Sequence, residues 1–170
     1  MLADELWYEI ISIWAIKRKF ALDMWITILE FDQIWRHDPA KAHEFDLKYE
    51  EYQQSLPLSS KMILDSKMSF YCQPDAFKVF LDVSEKVWAE RIFAEKRVHD
   101  ANSSFDEVLA TNKKRHQWQQ KTYMRLYDID IFDMKHYSLV IDTSDKSPQE
   151  VFACIREHFN NFIEQRWNNQ

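Results

Sequence analysis

The residues of this chain most able to do chemistry are basic side chains placed at the ends of short apolar runs. Arg18, with Lys17 beside it, opens a helical stretch directly after the apolar run "YEIIS" (8–12). Asp65 and Lys67 in "LDSK" close the run "KMILD" (61–65), and the carboxyl ends of strands are where open α/β sheets bind their ligands. Arg91, Lys96 and Arg97 precede the segment "VHDANS" (98–103), while Lys113, Lys114 and Arg115 follow it, with Gln119 one helical turn further on. Guanidinium and ammonium groups hold phosphate-like anions, the first through a bidentate fork and the second as a point charge. For each of them the plain alternative is a solvated helix face. Metal chemistry finds no matching spacing. The six histidines form no His-Glu-x-x-His pattern, and Cys72 and Cys154 lack the spacing of metal ligands, so both are expected to pack as small hydrophobes.

These groups need a scaffold, and the chain alternates short apolar runs with helical ones. After "YEIIS" comes the helical "AIKRKFALDM" (15–24), with Ile16, Phe20 and Met24 at i, i+4, i+8 and Trp14 in the turn between strand and helix. "TILEFDQIW" (27–35) starts on Thr27 with Glu30 at capping-box spacing, and the helix from 39 to 56 starts on Asp38 with Pro39 in its first turn. "KMILD", "FKVFLDV" (77–83) and "YSLVIDT" (137–143) are strand candidates. Ser84 caps a helix over 85–97, a long helix covers 103–127, and Ser147 with Pro148 starts the last, over 147–166. Strands alternating with helices imply crossover connections and hence a parallel sheet covered on both faces, an α/β fold.

The 170 residues are 46% hydrophobic and 29% charged, which fits one soluble domain, 1–170, with a sizeable core. A net charge of −6 gives no general attraction to nucleic acid or anionic membranes, although a local basic cluster still suits a small anion. No apolar stretch is long enough to span a bilayer and no signal peptide is recognisable, so a cytoplasmic monomer acting on small molecules is expected. One feature of the composition is out of line. The chain has no glycine and 7 tryptophans, whereas a chain of 170 residues ordinarily carries about 12 glycines.

The segment "LYDIDIFDMKHYSLVIDTSDKSPQEVFACI" (126–155) resembles the end of cytidylate kinases of the short, archaeal-like branch, whose pattern runs Tyr-x-Ile-Asp, a spacer, then Tyr-Asp-x-Val-Ile-Asp-Thr. "KMILDSKMSFYCQPDAFKVFLDVS" (61–84) is similar to that family's strand, acidic-small-basic turn and following strand. "YEIISIWAIKR" is similar to its strand followed by Ser-x-Gly-Asp-Ile-x-Arg, with Ser12, Trp14 in the glycine place, Ala15 in the acidic place and Arg18 in the arginine place. The resemblance implies ATP- and Mg²⁺-dependent phosphorylation of CMP, dCMP or a related monophosphate on a three-layer parallel sheet of the P-loop type. It further implies Ser12, Arg18, Asp65, Lys67 and Gln119 as substrate-binding residues, Arg91, Arg97 and Arg115 as catalytic ones, and a lid about 92–115. Lys67 stands where the family has arginine, and Gln119 and Thr122 stand where it has an acid and a second arginine, which leaves the acceptor base open.

Phosphoryl transfer is mostly positioning and electrostatic stabilisation, and its usual donor cradle is a loop Gly-x-x-x-x-Gly-Lys-Ser/Thr. No such loop occurs in this sequence. The expectation is a chain that starts after its first strand and phosphate loop, inactive as given; a catalytically dead nucleotide-binding module and an interaction domain keeping only the fold are the alternatives. Trp7, Trp14 and Trp25 stand where the family has glycine, and a source that reads UGA as glycine accounts for both the excess and the absence. Tryptophans packing a core are the ordinary reading.

Overall fold

The computed structural model describes residues 2–57, 61–94 and 104–168, which form mixed α/β structure with short parallel strand pairs. The chain divides into two compact units, Met1–Ala76 and Phe77–Gln170.

In the first unit, a short helix α1 (Leu2–Leu6) leads into β1 (Glu9–Ser12), α2 (Ile13–Asp23), α3 (Ile28–His37), α4 (Pro39–Ser55), β2 (Met62–Asp65) and the single turn α5 (Ser69–Cys72). β1 and β2 run parallel, with Glu9 opposite Met62 and Ser12 opposite Asp65. The core of the unit lies among the helices. Phe31 is fully buried, its ring stacks on Phe45 at 4.6 Å, and Ile16, Ala21 and Tyr49 complete the cluster. Phe20 stacks on Tyr49 at 5.0 Å, as its spacing from Ile16 anticipates. Met24 departs from that stripe: α2 ends at Asp23, and Met24 is an exposed cap residue because the backbone turns left-handed immediately after it. Gln53, also buried, ties α4 to α5, its amide oxygen accepting from Ser69 Oγ at 3.0 Å while Gln73 Nε2 donates to the Gln53 carbonyl at 2.6 Å.

The second unit holds β3 (Val79–Asp82), α6 (Glu85–Ala94), α7 (Phe105–Tyr127), a 3₁₀ turn (Met134–His136), β4 (Leu139–Asp142) and α8 (Pro148–Asn168). β3 and β4 are parallel and in register from Val79 opposite Leu139 to Asp82 opposite Asp142. Both strands are shorter than their apolar runs. Asp82 Oδ1 accepts from the Val83 amide and Asp142 Oδ1 from the Ser144 amide, each at 2.9 Å, so local side-chain bonds take over from the ladder. Ala89, Ile92 and Val108 form the buried seam of α6 and α7, and Phe77 packs against Phe159 and Phe162 of α8. Phe80 lies against Tyr137, whose hydroxyl donates to the Ile131 carbonyl at 2.7 Å; burial, then the charge of Asp130, pushes that phenol up to about 12.

The expected cap of Thr27 with Glu30 forms a complete capping box. Ser104 with Glu107 forms a second that the sequence reading did not single out, starting that helix at Phe105, and the expected cap Ser147 makes the same reciprocal bonds with Glu150. Each glutamate accepts from the cap residue's backbone and hydroxyl, which holds its carboxyl below the usual 4.5. A carboxyl lowered on folding stabilises the native state above its unfolded value and loses that contribution as pH falls through the folded value. The thermal midpoint is therefore expected to fall as pH drops below about 4.5, and the Glu107→Gln/Glu150→Gln pair to flatten that acid limb; an unaltered limb in a melting series would refute the linkage. Ser104→Ala is expected to cost about 1 kcal/mol in a urea titration, the usual value of a helix N-cap.

Candidate functional site

The first unit brings Ser12 and Asp65 together as direct register partners at the carboxyl ends of β1 and β2. Ser12 ends the strand and begins the helix. Its Oγ accepts from the Ala15 amide at 3.2 Å as the N-cap of α2, which leaves its hydroxyl proton available to a ligand. The first turn of α2 directs backbone N–H groups and the positive end of the helix dipole to the same place, a setting suited to an anion. Arg18 stands exposed on α2, and Asp65 and Lys67 are exposed at and just beyond the end of β2.

Trp14 differs from expectation. It is the second residue of α2 and not part of a connecting turn, because the cap falls on Ser12 itself. Half of its indole is exposed, and Lys17 Nζ lies 5.5 Å from the ring centroid in a cation–π arrangement. Arg18 is four residues from Trp14 and so shares its side of the helix.

In the second unit Asp82 and Asp142 face each other at the carboxyl ends of β3 and β4. Ser144 side-chain and backbone bonds, aided by Lys146, hold the Asp142 carboxyl below its usual range. Arg91 reaches from α6 to this end of the sheet, donating from Nη2 to the Thr143 carbonyl at 2.6 Å and from Nη1 to Thr143 Oγ1 at 3.3 Å. Thr143 Oγ1 donates in turn to the Asp82 carbonyl at 2.8 Å. Arg115 is exposed on α7 and Gln119, one turn later, is buried. Arg97 and Lys96, with the segment 98–103 read as part of a lid, lie outside the described residues.

Asp82, Asp142 and Thr143 were not singled out from the sequence. The signal was present in the parallel endings "FLDVS" and "VIDTS", which place an aspartate at the same strand position twice. Cys72 is buried, and burial followed by the charge of Glu50 raises its thiol to about 11, which keeps it protonated and inert. No helix among the described residues is long and apolar enough to cross a membrane.

No glycine-rich phosphate loop occurs in the sequence, and among the described residues no three His, Cys, Asp or Glu side chains gather as a metal site.

A cytidylate kinase of Pyrococcus abyssi is 27% identical over 150 residues, covering 88% of this chain and 78% of the kinase. That of Methanosarcina barkeri is 26% identical over 160 residues, covering 92% of this chain and 84% of the kinase. The chain is cytidylate-kinase-like. The cytidylate-kinase-like sequence is also 32% identical, over 161 residues, to an S-adenosylmethionine-dependent nucleotide dehydratase of Lacinutrix mariniflava; the match covers 92% of this chain and spans 31% of the dehydratase. No family model and no solved structure matches it.

Proposed function

We propose that this cytidylate-kinase-like chain handles the acceptor side of a nucleoside monophosphate kinase, for CMP, dCMP or a related monophosphate, as a cytoplasmic monomer. The reading extends to the fold, a three-layer parallel sheet of the P-loop type. The observation that carries it is the pairing of Ser12 and Asp65 at adjacent strand ends, directly before the helix bearing Arg18, in a chain similar to cytidylate kinases over most of its length. In this scheme Ser12, the start of α2 and Arg18 hold the acceptor phosphate, while Asp65 and Lys67 orient the nucleoside. For Gln119 the resemblance supports a part in recognising the base, and for Arg91, Arg97 and Arg115 one in stabilising the transferring group; Arg91 also braces the end of β4 through Thr143. ATP would bring the phosphoryl group and Mg²⁺ would offset its charge, but no side chain described here is assigned to either.

Calorimetric titration with CMP, dCMP, UMP and AMP at low salt tests the reading, alongside a coupled assay for ATP-dependent phosphorylation. The chain as given is expected to bind a pyrimidine monophosphate and to show no turnover above a blank, because the donor cradle is absent. Failure to bind any monophosphate overturns the acceptor role, and clear turnover overturns the expectation of inactivity.

The dehydratase likeness favours a second reading, a nucleotide-binding module that serves a larger nucleotide-modifying enzyme without phosphoryl transfer of its own. Under it, the chain binds its nucleotide with no preference for a pyrimidine monophosphate in the same titrations.

A further inference from the structure

We infer that Trp7 and Trp25 are glycines in the polypeptide its source organism makes, and that their codons are UGA read as glycine. Among the described residues three have positive φ: Trp7 at 56°, Trp25 at 58° and Asp128 at 55°. Aspartate enters the left-handed region with tolerable cost because its short polar side chain bonds locally. An indole has no such compensation, and a bulky side chain there is a genuine outlier.

Both tryptophans occupy the same architectural place. Trp25 follows the cap of α2, with its own amide donating to the Leu22 carbonyl at 3.0 Å and the Ile26 amide donating to the Ala21 carbonyl at 3.0 Å. Those are the two bonds of a Schellman motif, with Trp25 at the left-handed position where glycine dominates. Trp7 follows α1, and the Tyr8 amide donates to the Ala3 carbonyl at 2.9 Å, the longer bond of the same motif. Two helices thus end in the way that needs a residue without Cβ, and in both the sequence places the largest side chain there.

Burial does not offset this. Trp7 is 87% and Trp25 95% exposed, so neither ring recovers the area that normally makes tryptophan worthwhile. Trp14, Trp118 and Trp167 are exposed as well, and Trp88 is half-buried. A surface built to present indoles to a partner would explain exposure. It would require neither a left-handed backbone under both rings nor the absence of glycine from all 170 residues. One codon reassignment accounts for the exposure and the left-handed backbone at both positions and for part of the glycine shortage. The inference is independent of the kinase reading, since it rests on backbone geometry and composition.

Peptide mass spectrometry of the protein isolated from its source, together with the nucleotide sequence of its gene, tests the inference. UGA at codons 7 and 25 and peptides carrying the mass of glycine at both positions are expected. A UGG codon or a tryptophan mass at either position overturns it. A second arm uses the tryptophan-containing chain made in a conventional host: Trp7→Gly and Trp25→Gly should each raise the melting midpoint by about 2–4 °C, the shift ordinary for relieving one left-handed side chain in a chain of this size. A midpoint that stays put or falls in both variants counts against glycine as the residue these turns were built for.

Discussion

Replacing Phe31 by alanine is expected to cost about 3–5 kcal/mol, the range for deleting a large aromatic side chain from a close-packed core. Phe31 has no exposed surface, and its ring fills the space bounded by Phe45 and Tyr49 of α4 and Ile16 and Ala21 of α2. Collapse into the vacated volume is restricted because each wall is anchored separately. The capping box of Thr27 and Glu30 fixes where α3 begins, Asp38 accepts from the Lys41 amide to start α4, and the two hydrogen bonds from the Trp25 and Ile26 amides end α2. Against a total stability of about 5–15 kcal/mol for an ordinary domain, such a loss removes a large share. Urea denaturation followed by near-ultraviolet circular dichroism measures it. Phe31→Leu, which keeps much of the volume, should lose far less; equal losses for the two, or a loss below about 1 kcal/mol for alanine, would show that this cluster is not the unit's core.

How much of this was legible in the sequence depends on the range over which each feature is determined. Helix starts are written locally. Thr27 with Glu30, Asp38 with Pro39, and Ser147 with Pro148 are each contained within four residues, and all form as read. The start of α2 was displaced because Ser12 does two jobs: it closes the ladder opposite Asp65 and caps the helix, so no residue is left over for a turn. The helix α5 has four residues and no side-chain cap, too short for periodicity to reveal. The strand readings began two residues early and ran one residue past Asp82 and Asp142, the last residues of β3 and β4, whose carboxylates bond the Val83 and Ser144 amides just beyond the ladder.

The candidate site divides in the same way. Ser12, Asp65 and Arg18 were each recognisable by type and position, but that Ser12 and Asp65 stand opposite one another is a matter of register between distant segments. The engagement of Arg91 with Thr143 crosses 52 residues and had no local signature. Positive φ at Trp7 and Trp25 was legible only as a shortage of glycine; the structure turns a compositional anomaly into two defined positions.

Arg18→Ala is expected to weaken monophosphate binding by about 10–100-fold, the cost of losing charge-assisted hydrogen bonds to an anion, and Trp14→Gly to strengthen it. The two residues lie one turn apart on α2, and under the proposed function an indole in its first turn competes with the acceptor phosphate for the helix start. Trp14 also engages Lys17 at 5.5 Å, so its removal releases a second cation toward the same anion. Binding should weaken with added salt in the starting protein and in Trp14→Gly, and show a shallower salt dependence in Arg18→Ala, as expected when one counter-charge is lost. Lys86→Ala is the matching control, because Lys86 pairs with Glu90 at 3.8 Å on the exposed face of α6, and a surface ion pair of that kind contributes little. Calorimetry with CMP distinguishes the outcomes. Unchanged affinity in Arg18→Ala removes the arginine from the phosphate site. A loss in Trp14→Gly as large as that in Arg18→Ala means that the indole is a stacking surface for the nucleotide and not an obstruction, which would make tryptophan the working residue at position 14.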